Sequence, residues 1–535
     1  MDDTSAVEVA VKSASYNIIL QVLMRVLSSV SNAVILRLIS KDELGVINVR
    51  LMLLYSTCHC FSREAFRRSC LSKFDGKNPE KQFNLLWTII PTSLICSAIL
   101  RFVWLFMLET PESHLVSHYS TGVNAILLTV LIEIMAEPVY IFSQSFHFVK
   151  LKIFIEGISL TVKSLGMVLL LHIWPYHAIH SFCISQILGA IVYSFSYYIY
   201  FWNYFKMLKD STNLVPINSV WNMFPKFSRN FVELKDLFLT WSFFKHTLLK
   251  QLLTEGERYL MTFLSVLSFA EQGMYDVVNN LGSLAARFVL LPIEESGYLL
   301  FTHLLSRDKP AHEQKNASTS LVVLINLLKL MCLLGLVILT FGFSYSQLLL
   351  LLYGGQTLSS GIALTLLRWH CVYVLFLALN GISEGFKFSV MKQHQIDRYN
   401  KVMVYLSVGF LITAFCLVKL FGGVGFILAN CINMAFRIHH SLFYIKKYFM
   451  MSWTQLFSKV IPNPAVMLIL GFSFLVTSIS EANLCCSKGI QFWIWHFIIG
   501  ICCVFITLLS IWFRERSLVL FIYEQWQNKA KSKSN

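Results

Sequence analysis

What most limits the fold of this chain is the recurrence of apolar runs long enough to cross a lipid bilayer. A helix needs about 20 apolar residues to span the hydrocarbon core, and reading for such runs between polar breaks gives about fourteen. They lie near 15–39, 43–62, 83–107, 121–147, 153–173, 178–202, 243–268, 274–304, 320–343, 361–388, 398–420, 422–447, 464–480 and 491–513. The composition agrees, with 56% hydrophobic residues, 14% charged residues and a mean hydropathy of +0.62. Such values lie outside the range of soluble globular chains. The expected fold class is all-α integral membrane, with about 14 transmembrane helices.

The first dozen residues are polar and acidic, and the first long run carries Gln21, Arg25 and Arg37. That is not the pattern of a cleaved signal peptide, so the first helix is expected to remain. Lys and Arg gather in the loops after even-numbered spans, as in Arg63, Arg67, Arg68, Lys150, Lys206 and Arg307. By the positive-inside rule those loops and both termini are expected in the cytosol. The net charge of +15 then sits mostly at the cytosolic membrane surface, beside anionic head groups. The C-terminal "KAKSKSN" fits the K-x-K-x-x pattern that returns a cytosolic tail to the endoplasmic reticulum. The sequon Asn316-Ala317-Ser318 falls in a loop expected in the cytosol and is predicted to stay unmodified. The 13 cysteines form no CxxC pairs and are read as small membrane-embedded residues.

The longest polar interruption gives the expected domain organisation: an N-terminal six-helix lobe at 1–202, a cytosolic linker at 203–242, a C-terminal six-helix lobe at 243–447, and two added helices with a basic tail at 448–535. A short echo supports two halves. Ser40-x-x-Glu43-x-Gly45 and Ser268-x-x-Glu271-x-Gly273 each fall between the first and second span of a half. With both copies on one side of the membrane the repeat is parallel, and substrate is expected between lobes near the midplane.

A charge at the bilayer centre costs at least about 2.5–3.5 kcal/mol, so intramembrane charges face partners or a cavity. Gln21, Arg25, Ser28 and Asn32 fall within roughly 60° of each other on one helical face. Asp276, Asn280, Ser283, Arg287 and Glu294 form a second stripe, Asn430, Asn433 and Arg437 a third, and Lys250, Thr254 and Glu257 a fourth with Arg258 beside it. At the mouth of the second span, Glu64 and Arg68 can form an i,i+4 ion pair. That leaves Arg63 and Arg67 to receive an anionic substrate. Guanidinium groups match phosphate oxygens, so these stripes favour a phosphorylated amphiphile. Enzyme chemistry finds little support: the chain has no GxxxxGK[ST] or H-E-x-x-H, and no cofactor or nucleic-acid partner is expected. Glu133 and Glu137, one turn apart, keep a cation-coupled antiporter open.

Several blocks resemble one family. "LGVINVRLMLLYST" (44–57), "SREAFRRSCLS" (62–72), "LTWSFFKHTLLKQLLTEGERYLMTFL" (239–264), "QGMYDVVNNLGSLAARFVLLPIEES" (272–296), "FGFSYSQLLLLLYGG" (341–355) and "GFILANCINMAFRI" (425–438) are similar to the Rft family, described as dolichol-linked oligosaccharide translocation proteins of the endoplasmic reticulum. The similarity runs from about residue 14 to 515. It implies the multidrug/oligosaccharidyl-lipid/polysaccharide exporter fold, two parallel six-helix lobes plus two C-terminal helices. It also implies a substrate, the dolichyl-diphosphate heptasaccharide, moved from the cytosolic to the lumenal leaflet for N-glycosylation by ATP-independent alternating access. The other reading of the family is an accessory protein that binds this lipid without flipping it. Membrane lipids, and other N-glycosylation proteins under the accessory reading, complete the implied partners. The expected substrate-binding set is Arg25, Arg37, Arg63, Arg67, Glu257, Arg258, Asp276, Asn280, Arg287, Glu294 and Arg437.

Overall fold

Where the structure describes these apolar runs, the backbone is helical apart from short breaks such as 135–136 and 265–268. The computed structural model describes residues 24, 27, 30–73, 79–112, 114–146, 148–175, 177–207, 219–226, 232–307, 310–486, 489–521 and 523–524. Arg25 and the basic C-terminal tail lie outside the described residues. The chain divides into two compact units, Met1–Gly273 and Met274–Asn535.

The first unit holds α1 (30–38), α2 (Lys41–Leu71), α3 (Glu80–Met107), α4 (Tyr119–Ile134), α5 (Glu137–Ser145), α6 (Lys150–Ile173), α7 (Ala178–Met207), α8 (Leu234–Thr254) and α9 (Gly256–Leu264). Its core is one apolar cluster that includes Leu51, Phe83, Trp104, Ile126, Phe142 and Tyr197. α2 is continuous but contains two π turns, Val46–Leu51 and Cys60–Glu64. α4 and α5 meet at a 44° bend. Pro138 stands in the first turn of α5. It has no N–H to donate to the preceding turn, which is a physical cause of the break.

Part of the segment read as the cytosolic linker docks on α3. The Asn84 side chain takes both backbone groups of Lys226 at 2.9 Å. The Trp87 indole donates to the Met223 carbonyl at 2.7 Å.

α8 and α9, assigned from sequence to the second lobe, belong to the first unit and pack on α2. Thr57 and Tyr259 share a hydroxyl hydrogen bond of 2.8 Å, and Gln251 Nε2 donates to Ser56 Oγ at 3.3 Å. Apolar periodicity reports which face of a helix is buried but not which helix covers it. Polar groups of α2 find partners on α8 and α9.

The structure also explains the Ser-x-x-Glu-x-Gly echo. In both copies the serine hydroxyl accepts from the glutamate N–H while the glutamate carboxylate reaches back to the serine N–H, a capping box. The glycine of each copy then faces the other. A Cβ on Gly273 would lie 2.7 Å from Gly45 N and 2.9 Å from the Lys41 carbonyl oxygen. The repeat therefore conserves a way to start a helix and a way to pass it close to another backbone.

The second unit takes in most of α10 (Phe269–Ala285), followed by a π turn at Ala286–Leu290. After it come α11 (Leu291–Leu304), α12 (Ala317–Gly354), α13 (Ile362–Val390), α14 (Gln393–Phe421), α15 (Val424–Tyr448), α16 (Trp453–Val460), α17 (Pro464–Leu484) and α18 (Ile490–Arg514). Phe301, Leu324, Met331, Ala378, Phe386 and Ile445 centre its main core. Among the described residues nine helices are long and apolar enough to cross a membrane, or ten if the bent α4–α5 pair is one span. α8, α9, α10, α11 and α15 fall outside that count. All of them lie in expected spans that carry the polar stripes, so their charges lower their hydropathy, and α9 is also only 9 residues long. Cys485 and Cys486, beyond the end of α17, are joined in a disulfide, and the other cysteines are free.

Candidate functional site

Tyr55, His59, Arg63 and Arg67 recur at every fourth position along α2. On a regular α-helix a four-residue step drifts by about 40°, which would spread these side chains around the axis. The π turn at Cys60–Glu64 slows the rotation per residue, so the drift is checked across it. All four reach the break between α4 and α5, where Glu133 and Glu137 stand.

Glu137, fully buried at 0% exposure, accepts both arms of the Arg67 guanidinium, from Nε and Nη2, each at 2.6 Å. Arg63 Nη1 adds a longer contact of 3.4 Å. Glu133 is met by His59 Nε2 at 2.8 Å, by Lys163 Nζ of α6 at 2.7 Å and by the Tyr55 hydroxyl. The Arg67 guanidinium also lies over the Tyr140 ring, 3.9 Å from its centre. Beside these groups opens a cavity of about 300 Å³, walled by Arg63, Arg67, Glu133, Glu156, Lys163 and Tyr193 among others.

A comparable cluster occupies the second unit. Glu384 on α13 pairs with Arg437 of α15 and accepts from the Tyr399 hydroxyl at 2.6 Å and from Asn380 Nδ2 at 3.1 Å. Lys387, with 0% exposure, donates to Ser441 Oγ at 2.9 Å and lies over the Tyr399 ring at 3.3 Å. The Glu294 carboxylate rests against Gly381, within electrostatic reach of Glu384 and Arg437. Both units thus bury a carboxylate on a helix read as the fourth span of its half and surround it with cations and a tyrosine.

The expected site residues divide accordingly. Arg63 and Arg67 enter the first cluster, but not as free receptors: both are paired to Glu137. Arg68, expected to pair with Glu64, turns to His246 at 3.1 Å. Arg437 and Glu294 belong to the second cluster. Arg37, Asn280 and Arg287 are exposed. Asp276 accepts from Asn280 on its own helix at 3.0 Å. Arg258 pairs with Glu255 at 3.1 Å, and Glu257 is half-buried.

Sequence reading missed Tyr55, His59, Lys163, Glu384, Lys387 and Tyr399. The four-residue beat Tyr55, His59, Arg63, Arg67 and the i, i+4, i+7 spacing of Asn380, Glu384 and Lys387 were the available signals. Glu133 and Glu137 had been weighed as cation carriers, and each already has counter-charges from the chain itself. Among the described residues no group of three or more His, Cys, Asp or Glu could hold a metal ion.

Comparison with known proteins gives this geometry its setting. The sequence profile of the family described as Rft-1, Rft protein, matches residues 9–525. A protein of Xenopus tropicalis named Man(5)GlcNAc(2)-PP-dolichol translocation protein RFT1 is 43% identical over 96% of both chains. The chain belongs to the Rft family. Proteins of the same name from Mus musculus and Saccharomyces cerevisiae are 42% and 28% identical, over 96% and 80% of this chain and 96% and 81% of theirs. Among solved structures, the lipid II flippase MurJ in an inward closed conformation matches this Rft chain with a TM-score of 0.63 at 12% identity, covering 94% of it and 99% of MurJ. An inward-facing multidrug resistance MATE transporter of the MOP superfamily matches with 0.53 at 10% identity, covering 80% and 96%. These two likenesses show the fold of the Rft chain to be that of the exporters.

Proposed function

We propose that this protein moves Man5GlcNAc2-PP-dolichol from the cytosolic to the lumenal leaflet of the endoplasmic reticulum membrane. The observation that carries the reading is a 43% identity, over nearly the whole length of both chains, to a relative named for translocation of that lipid. The physical problem is to bring a diphosphate and a polar glycan past hydrocarbon while the polyprenyl tail stays in lipid. Buried polar side chains inside long apolar helices lower that barrier, because they replace hydration that the head group gives up. The two clusters supply such groups in this chain, already assembled and neutralised. Among the known motifs sought in the sequence none hydrolyses a nucleotide. The transfer runs downhill, drawn by consumption of the glycolipid in the lumen, and access alternates between the leaflets.

Purified protein in vesicles with labelled Man5GlcNAc2-PP-dolichol tests this. An external mannose-cleaving reagent should reach nearly all of the lipid with protein present and about half without it, over the same interval. Tight binding with no acceleration would replace translocation by the accessory reading. A dependence on a pH gradient, lost in Glu133→Gln, would favour the antiporter.

A further inference from the structure

The cavity in the first unit does not match the anion receptor that its arginines suggest. With Glu137 behind its wall, it sets three cations, Arg63, Arg67 and Lys163, against three carboxylates, Glu133, Glu137 and Glu156. The Arg67 fork is filled by Glu137 and the Lys163 ammonium is held by Glu133. A diphosphate entering here would have to displace Glu137 and leave it buried without a counter-charge. It would also bring its own negative charge next to Glu133 and Glu156, and both steps are unfavourable in a low-dielectric interior.

A neutral polyol meets no such opposition. Its hydroxyls both donate and accept. Glu156 lines the cavity and has no ion pair among the described residues; it is exposed on a helix whose Phe154 and Leu160 are exposed apolar residues. Arg63 Nε is buried and has no hydrogen-bond partner among the described residues, so a donor there awaits an acceptor. Tyr55 and Tyr193 add aromatic surface to the wall, suited to the C–H face of a pyranose. At about 300 Å³ the space is at the small end of ligand sites, enough for part of a glycan and not for a heptasaccharide.

We propose that this cavity is a sugar subsite, taking a neutral hexose ring of the head group and not the diphosphate. The assignment rests on the translocation reading for the identity of the glycan.

The test uses the full chain in nanodiscs and three probes: the free Man5GlcNAc2 heptasaccharide, inorganic pyrophosphate, and dolichyl diphosphate without sugar. Binding is read by saturation-transfer NMR and titration. Glu156→Gln, Tyr193→Leu and Leu160→Trp all leave the ion pairs in place, and Leu160→Trp fills the cavity from an exposed position, so it stands if Tyr193→Leu fails to fold. Each folded variant should weaken heptasaccharide binding at least about tenfold while changing dolichyl diphosphate binding by less than about twofold. The proposal is overturned if the wild-type chain shows no saturation transfer to the free heptasaccharide. It is equally overturned if the variants lose pyrophosphate or dolichyl diphosphate and keep the glycan. Variant-sensitive glycan binding by a chain that does not accelerate transfer in vesicles would sink the translocation reading and leave the subsite standing. Acceleration with variant-insensitive glycan binding would do the reverse.

Discussion

At the scale of single residues, a buried charge takes its worth from its partner. Replacing one member of a buried ion pair strands the other, a loss of about 3–5 kcal/mol, whereas replacing both by apolar groups of similar size is often neutral or better. Arg67 and Glu137 form such a pair, and Arg68, one residue along, meets an exposed histidine. Arg67→Ala is expected to lower the melting temperature of the purified protein markedly and to reduce translocation, while Arg68→Ala changes melting by less than about 0.5 kcal/mol equivalent. The double change Arg67→Met with Glu137→Leu should recover most of the lost stability. If it melts no higher than Arg67→Ala, the pair does not account for the loss, and the arginine acts elsewhere. Sequence reading found both arginines but not this difference. Glu137 lies 70 residues away from Arg67, and no local periodicity announces that distance.

At the scale of elements, what could be read in advance was whatever the bilayer or a helix terminus dictates. Span lengths follow from hydrocarbon thickness, so most of the long helices coincide with an expected span, but α8 starts and α12 ends well outside theirs, and the short α16 was not expected. The bend between α4 and α5 was marked by Pro138 but not predicted, and the π turns in α2 left no compositional trace. The glycine echo was legible as a repeat and illegible as a contact. Gly45 and Gly273 meet where a Cβ on either would press on backbone atoms, which cannot rotate aside as a side chain can. Gly273→Val and Gly45→Val should therefore each destabilise the protein by about 1–3 kcal/mol, the usual range for overpacking. Gly409, in the interior of α14, has nothing within 4 Å of an added Cβ. Gly409→Ala is the matched control and should be neutral or slightly stabilising, since alanine is the better helix former. Thermal unfolding of the three variants in one detergent checks the set, and equal losses at all three positions would contradict the close-contact reading.

At the scale of the whole molecule, two exporter-fold relatives share the architecture at 12% and 10% identity, so most of the fold depends on pattern and little on particular residues. The two C-terminal helices add specific charge contacts to their apolar packing. Glu481 of α17 pairs with Arg368 of α13 at 2.9 Å, and Glu515, just past α18, pairs with Lys329 of α12 at 2.9 Å and accepts from the Asn463 backbone at 2.6 Å. Lys329 stands well inside α12, and Arg368 in the second turn of α13 is turned to Glu481. Removing residues 463–535 would take away both carboxylates at once and leave Arg368 and Lys329 unpaired on helices otherwise suited to lipid. The truncated chain should therefore be much less stable than the loss of two peripheral helices implies. The charge argument makes a sharper claim: Lys329→Met with Arg368→Leu, introduced into the truncated chain, should raise its yield and melting temperature, although the same pair of changes lowers both in the full chain, where they would strand Glu481 and Glu515. A truncated chain indifferent to these substitutions would mean that α17 and α18 are held by apolar packing, with the ion pairs incidental.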